Sequence, residues 1–144
     1  MADIDVAKQL LKDCGYKCVL AKGDVIRISE KRGVAPMMEF IDAGMDLNGF
    51  SAADKVVGKA VALLFVLAGI SEVYAETISS HAIAVLEKNN IPFSFNTSVE
   101  HIINRFGDGL CPMEEATLDI DDPQEAYDAI CAKLEELNSQ IDID

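Results

Sequence analysis

The stretch Ser51–Ile70, SAADKVVGKAVALLFVLAGI, decides the fold of this chain because its character changes along its length. It begins with polar and charged residues among apolar ones and ends in a run that is apolar on every side. Ser51 has the identity of a helix N-cap, and Asp54 stands at the position of a capping-box acid. The stretch therefore predicts one central helix from Ser51 to about Ala68, with its first turns facing a pocket and its end buried.

Length and composition predict one globular domain over residues 1–144, with a short acidic tail over residues 139–144. The chain has 144 residues, 50% of them hydrophobic, which is enough for a substantial core. Its 25 acidic and 12 basic residues give a net charge of −13. Because nucleic acids and anionic membranes bind clustered Lys and Arg, we expect neither as a partner.

The N-terminus and the cysteines predict a cytoplasmic protein. Met-Ala-Asp-Ile-Asp has no basic segment followed by an apolar stretch, as a secretory signal would. The uncharged run from Ala60 to Ile70 is shorter than the roughly 20 residues of a membrane span. We expect the cysteines, at positions 14, 18, 111 and 131, to be reduced. Their spacing predicts no metal site, and no motif in the sequence identifies a cofactor.

The remaining sequence predicts alternating helices and strands. Helical spacing indicates a first helix over Ile4–Asp13, and apolar runs on both sides of Lys22-Gly23-Asp24 predict an antiparallel hairpin. The later predicted elements are helices after Pro36, over 80–88, over 98–105, from Pro112 and over 123–138, and strands over 72–78 and 92–96. This order predicts an α/β fold, a three-layer α/β/α sandwich around a mixed sheet.

Three segments give the chain a resemblance to a known family: Ser51–Ala60, Asn104-Arg105 and Cys111-Pro-Met-Glu114. They resemble the signature segments of an uncharacterised prokaryotic family, domain of unknown function 1893, over about Gly33 to Ala116. The resemblance implies a fold similar to that of cytidine deaminase. It also implies a homo-oligomer, because deaminase-like folds often assemble through the helices beside the site.

The resemblance raises the question of zinc-dependent deamination, whose residues form the motifs H-x-E or C-x-E and, later, P-C-x-x-C. At the corresponding places this chain has Ala53-Asp54-Lys55 and Ile78-Ser79-Ser80-His81. Neither place has the thiolates or imidazoles that would bind zinc. If the protein is an enzyme, we therefore expect it to be metal-independent and not a zinc-dependent deaminase.

A pocket beside helix N-termini is the site that the sequence favours, because free N–H groups there attract anions. Its expected ligand is a small anionic or nucleotide-like molecule. The candidate ligand-binding residues are Ser51, Lys55, Lys59, Ser79, Ser80, Asn104, Arg105 and Glu114. Capping is the alternative role for the two helix-start serines, Ser51 and Ser80. A solvated polar stripe is the alternative for Lys55 and Lys59, and a salt bridge is the alternative for Arg105.

Asp54 and Cys111 are the candidate catalytic residues. Asp54 could act as a general base, although an acid in the first turn also stabilises a helix. Cys111 stands before Pro112 at the start of a predicted helix, where a thiol can become a nucleophile, with packing as its alternative role. The sequence leaves three functions open: a metal-independent binding or catalytic domain, a non-catalytic sensor or protein-interaction module, and a purely structural oligomer.

Overall fold

Helices and strands alternate along the chain, which the computed structural model describes over residues 2–104, 107 and 109–142. The helices are α1 (Asp3–Cys14), α2 (Ala35–Asp42), α3 (Lys59–Ala68), α4 (Ser80–Lys88), α5 (Pro112–Thr117) and α6 (Pro123–Asp142). The strands are β1 (Cys18–Lys22), β2 (Val25–Ser29), β3 (Ser51–Val57), β4 (Glu72–Ser79) and β5 (Phe93–Val99). None of the helices within these described ranges is both long and apolar enough to span a membrane.

The strands form one mixed sheet in the order β2-β1-β3-β4-β5. Strand β1 is antiparallel to β2 and to β3, whereas the β3/β4 and β4/β5 pairs are parallel. Helices α3 and α4 make the crossovers that parallel neighbours require. Since β3 and β4 end at the same edge of the sheet, α3 and α4 begin side by side there.

Helices cover both faces of the sheet, as the predicted layers require. Helix α1 packs on one face, where Ala7 and Leu11 join a small apolar cluster with Val19 and Tyr74. Helix α3 lies in the layer on the other face, in contact with α2, α4, α5 and α6, and its residues Lys59–Phe65 are all buried. An α/β fold with a mixed sheet is therefore confirmed.

The predicted helix from Ser51 to Ala68 is wrong in its first half. Residues Ser51–Val57 form β3, and α3 begins only at Lys59, after Gly58 with φ −93° and ψ −178°. Strand β3 lies in the middle of the sheet, and its first four residues are buried. A strand covered on both faces lacks the alternation of apolar and polar residues, so its sequence resembles that of a buried helix.

The predicted helix over 98–105 is also wrong, in the part that the structure describes. Ser98 and Val99 complete β5, and Ile103 forms an antiparallel bridge with Leu110. The other predicted helices and strands are confirmed, apart from shifts at their ends. Before α6, an Asp122 carboxylate oxygen accepts a hydrogen bond from the backbone N–H three residues later at 2.9 Å, as an N-cap does.

Candidate functional site

A buried carboxylate, Glu114, lies where β3 and β4 end, and only 1% of the residue is exposed. Its Oε1 accepts hydrogen bonds from the Lys59 N–H at 2.7 Å and the Ser79 hydroxyl at 3.2 Å. Its Oε2 accepts a hydrogen bond from the Ile102 N–H at 2.6 Å. Helix N-termini have unpaired N–H groups and a partial positive charge. A carboxylate accepts hydrogen bonds from these N–H groups and is attracted by this charge. The protein's own anion thus occupies the junction between the starts of α3 and α4.

Gly58 makes room for this carboxylate. A Cβ added to Gly58 would lie 3.1 Å from Ile102 Cγ1 and 3.2 Å from Glu114 Oε1, closer than side chains normally pack. The backbone of Gly58 is extended, so its conformation does not require glycine. Close packing of the neighbouring side chains explains why a residue without Cβ stands there.

Lys55 and Lys59, both expected on the predicted central helix, lie on different elements. Lys55 belongs to β3, whereas Lys59 opens α3 and is 7% exposed. The Lys59 ammonium donates to the Leu118 carbonyl at 2.7 Å and lies 3.2 Å from an Asp121 carboxylate oxygen. The hydrogen bond and the charge of Lys59 lower the pKa of Asp121. Lys59 therefore ties α3 to the segment that follows α5.

The three candidate serines have different surroundings. Ser79 is the N-cap of α4, because its hydroxyl accepts a hydrogen bond from the Ala82 N–H at 3.1 Å. The Ser80 hydroxyl donates to the Glu100 carbonyl at 2.9 Å. Ser51 begins β3, at the opposite end of the strand from Gly58, and is not a helix cap. Of the three, Ser79 contacts the buried carboxylate.

Asp54 is buried in β3 and not in the first turn of a helix. Its cross-strand partner in β1 is Cys18, and only 3% of Asp54 is exposed. Burial raises the pKa of Asp54 to about 8, and the hydrogen bond from the Val56 N–H opposes the rise only in part. Its Oδ1 accepts from the Val56 N–H at 3.3 Å, whereas Oδ2 has no hydrogen-bond partner among the described residues. An acid group is thus held near its neutral form with one oxygen unpaired.

Asp54 lines a cavity of about 300 Å³ that also has a cationic lining. The other lining residues are Lys17, Arg32, Gly33, Lys55 and Val56. The Lys55 N–H donates to the Lys17 carbonyl at 3.0 Å, which continues the β1/β3 pairing and holds these two lysines next to each other. Sequence analysis missed Lys17 and Arg32. Lys17 precedes the predicted hairpin and Arg32 follows it, and this shared position was the clue in the sequence that the two could lie close together.

Cys111 lines a second, narrower cavity of about 50 Å³, together with Gly58 and Glu114. The cavity shares Gly33 and Val56 with the larger one, so the two lie next to each other. Cys111 is half-buried and precedes α5, and its side chain makes no capping hydrogen bond. The two candidate catalytic residues therefore line neighbouring cavities, Asp54 the wide one and Cys111 the narrow one.

The last two candidate residues follow β5. The Asn104 N–H donates to the Gly109 carbonyl at 2.9 Å, and the Asn104 carbonyl accepts from the Gly107 N–H at 3.1 Å. The backbone of Asn104 thus bonds to Gly107 and Gly109. Arg105, the predicted anion-binding arginine, lies outside the described residues.

The residues at the starts of α3 and α4 do not fit the zinc ion of a deaminase. Since the central helix begins at Lys59, the first motif would fall near Gly58 and not at Asp54, and neither Gly58 nor Lys59 is a zinc ligand. At the start of α4, the His81 Nε2 lies 2.9 Å from His101 Nδ1 and is paired with it. Among the described residues, no three His, Cys, Asp or Glu side chains cluster as metal ligands would.

The fold and the site together define an α/β protein with a mixed five-stranded sheet and a cation-lined cavity over a buried acid. Residues 6–134 match the family model described as TM1506, domain of unknown function (DUF1893), and the chain belongs to that family. It is similar to the crystal structure of a DUF1893 family protein (TM1506) from Thermotoga maritima, with a TM-score of 0.83 and 24% identity. That similarity covers 91% of this chain and 89% of the other, and it shows the fold alone. No curated protein matches the sequence.

Proposed function

We propose that this protein binds a small anionic ligand in the cavity lined by Lys17, Arg32, Lys55 and Asp54, hereafter the cationic cavity. The observation that carries the proposal is that three cationic residues line one cavity together with Asp54, whose buried Oδ2 has no hydrogen-bond partner among the described residues. Buried polar atoms in proteins nearly always have partners, and an exception at a cavity indicates a group that a ligand would satisfy.

The charge distribution favours an anion over a cation. The chain has a net charge of −13 and only 12 basic residues, and three of them line this one cavity. Their mutual repulsion is unfavourable unless an anion or solvent compensates for it. A ligand with a carboxylate or phosphate group would provide that compensation, and arginine can bind either group with two parallel hydrogen bonds.

Asp54 would recognise a second, uncharged part of the ligand. Because its pKa is raised to about 8, the carboxyl is protonated near neutral pH and can donate a hydrogen bond. The matching ligand atom is an acceptor, such as a carbonyl oxygen or a ring nitrogen. The cavity volume of about 300 Å³ is at the small end of the range for ligand pockets. A nucleotide-like molecule, with a phosphate and a base rich in acceptors, has both groups.

Binding in the cationic cavity is common to two of the functions that the sequence left open, the enzyme and the non-catalytic sensor. In an enzyme, Asp54 would serve as a general acid, and Cys111 in the adjoining narrow cavity as a nucleophile. In a non-catalytic sensor, the same residues would bind the ligand alone. A cytidine-deaminase-like classification belongs to this proposal as well. It is supported by the hairpin followed by two strand-helix units whose helices begin side by side.

The proposal is tested by thermal unfolding of the protein with a nucleoside 5′-monophosphate, with inorganic phosphate and with the uncharged nucleoside. Ligands that bind only the folded state raise the melting temperature. We expect the monophosphate to raise it most and the nucleoside least. An equal response to the nucleoside and the monophosphate, or no response to either anion, would overturn the proposal.

Neighbouring residues provide matched variants for this test. Arg32→Met removes a cation of the cavity, whereas Lys31→Met removes an exposed cation that pairs with Glu39 and does not line the cavity. We expect Arg32→Met to lose most of the stabilisation by the monophosphate and Lys31→Met to retain it. If both variants respond equally, only the overall charge matters, and the specific site is wrong.

A further inference from the structure

Strand β5, residues Phe93–Val99, is an edge of the sheet that no other described strand covers. It pairs with β4 on one side, and its residues from Ser94 to Ser98 are all exposed. Its sequence, Phe-Ser-Phe-Asn-Thr-Ser-Val, contains no charged residue and no proline. Phe95 is 41% exposed, and its ring stacks on that of Phe93 with 6.3 Å between the ring centroids.

Strand β2, at the other edge of the sheet, carries charges that protect it from pairing with another chain. Strand β2 has Arg27 at its centre, and the turn before it contains Asp24. Charges on an edge strand oppose pairing with another chain, and natural proteins use them for that purpose. Because β5 lacks such protection, and because no described residue outside β4 forms a backbone hydrogen bond with it, its outer N–H and C=O groups can pair along the strand.

We propose that β5 pairs antiparallel with β5 of a second copy of this chain, around a two-fold axis at Asn96. The two five-stranded sheets would then form one continuous sheet of ten strands, and this interface would be self-complementary. In this register Phe93 lies opposite Val99 of the second copy, and Phe95 opposite Thr97. Aromatic and β-branched residues in direct cross-strand pairs stabilise antiparallel sheets.

The side-chain pattern supports this register. Phe93 and Phe95 pair with Val73 and Ala75, which belong to the core cluster that α4 also joins, and Thr97 and Val99 follow at alternate positions of the strand. Around an axis at Asn96, the two Phe95 rings become diagonal neighbours, within reach of each other. In this register every residue of each β5 strand lies opposite a residue of the other. A shift of the register in either direction would leave residues at the strand ends without a partner.

Electrostatics favours a second copy through this strand over contacts elsewhere. Two copies with a net charge of −13 each repel one another, and they approach at least cost through surface that carries no charge. Residues Phe93–Val99 form such an uncharged segment. A homo-oligomer was expected from the sequence, and this strand is the surface on which we infer that it forms.

Sedimentation velocity across a concentration series tests the pairing. We expect the wild type to be a dimer and Phe95→Lys to be a monomer, because the lysine places a charge at the junction. Ile28→Lys is the matched control, since Ile28 is 44% exposed on the other edge strand. A wild type that stays monomeric up to millimolar concentration, or a Phe95→Lys dimer, would show that β5 does not pair with itself.

The register has its own test by disulfide cross-linking under mild oxidation in a Cys14→Ser background, which removes the exposed native thiol. Asn96→Cys should cross-link two copies, because residue 96 lies opposite itself. Ser94→Cys, exposed on the same face, should not, because residue 94 lies opposite residue 98. Cross-linking through residue 94 but not residue 96 would overturn the proposed register while leaving a β5 interface.

Discussion

Replacing Asp54 by asparagine should remove a pH dependence of stability that the wild type carries. The pKa of Asp54 is raised from 3.8 to about 8 in the folded protein because burial disfavours the carboxylate. Between those values the unfolded chain has released a proton that the folded chain still holds. The free energy of unfolding therefore falls with rising pH, by about 1.4 kcal/mol per pH unit for one group.

Summed over this window, the contribution is on the order of 5 kcal/mol, an upper limit for a buried group. The sign follows from the direction of the pKa change. Below the ordinary carboxyl range both states are protonated, so the raised pKa costs no stability there, and its cost grows with pH until the pH reaches the raised pKa. The amide introduced by Asp54→Asn does not titrate, so the free energy of unfolding of the variant does not fall with rising pH for this reason.

The assay is urea unfolding of both proteins at several values between about pH 5 and about pH 8. The stability of Asp54→Asn relative to wild type should rise steadily with pH, whatever the offset caused by the buried amide. Asp24→Asn, at the exposed hairpin turn, is the control and should follow the wild type. Parallel curves for Asp54→Asn and wild type would mean that Asp54 is ionised in the fold, and the reasoning would fail.

Two further predictions concern the buried carboxylate. Glu114→Gln should lower the free energy of unfolding by about 2–4 kcal/mol in urea titrations, because an amide NH₂ would face an N–H donor and the charge-assisted hydrogen bonds would be lost. Gly58→Ala should lower it by about 1–3 kcal/mol, because the added Cβ contacts Ile102 and Glu114 at 3.1 and 3.2 Å.

Each of these variants has a control. Glu115→Gln changes an exposed neighbour of Glu114 and should leave stability within about half a kcal/mol of the wild type. Gly109→Ala adds a Cβ at an ordinary 3.6 Å from Asn104 Nδ2 and should be tolerated. If either control is as destabilising as its partner, the effect is not specific to the carboxylate.

Much of the fold could be predicted from the sequence where the patterns are local. Helix α1 and the β1/β2 hairpin follow from apolar spacing and a turn, which need no knowledge of distant contacts. Strand β3 could not be predicted in this way, because burial on both faces removed its alternation. Asp54 was singled out as a candidate by its position in the chain, but its predicted place on a helix was wrong.

The lining of the cationic cavity shows why only some residues of the candidate site could be predicted from the sequence. Lys55 was a candidate from the sequence, but Lys17 was not, because only the register of β1 against β3 brings the two together. That register depends on contacts between residues far apart in the chain. Glu114, in contrast, was a candidate together with Lys59 and Ser79, and the structure places all three in one hydrogen-bonded group.

The hydrogen bonds of Glu114 also have a consequence for the order in which the chain is made. During synthesis, β3, α3, β4 and α4 are complete before Glu114 is added, so the starts of both helices lack their acceptor until then. Residues Ala126 and Ile130 of α6, which complete the core beside α3, are added later still. The segment that contains α5 and α6 thus closes the structure, and a growing chain that ends before this segment has its central helix exposed.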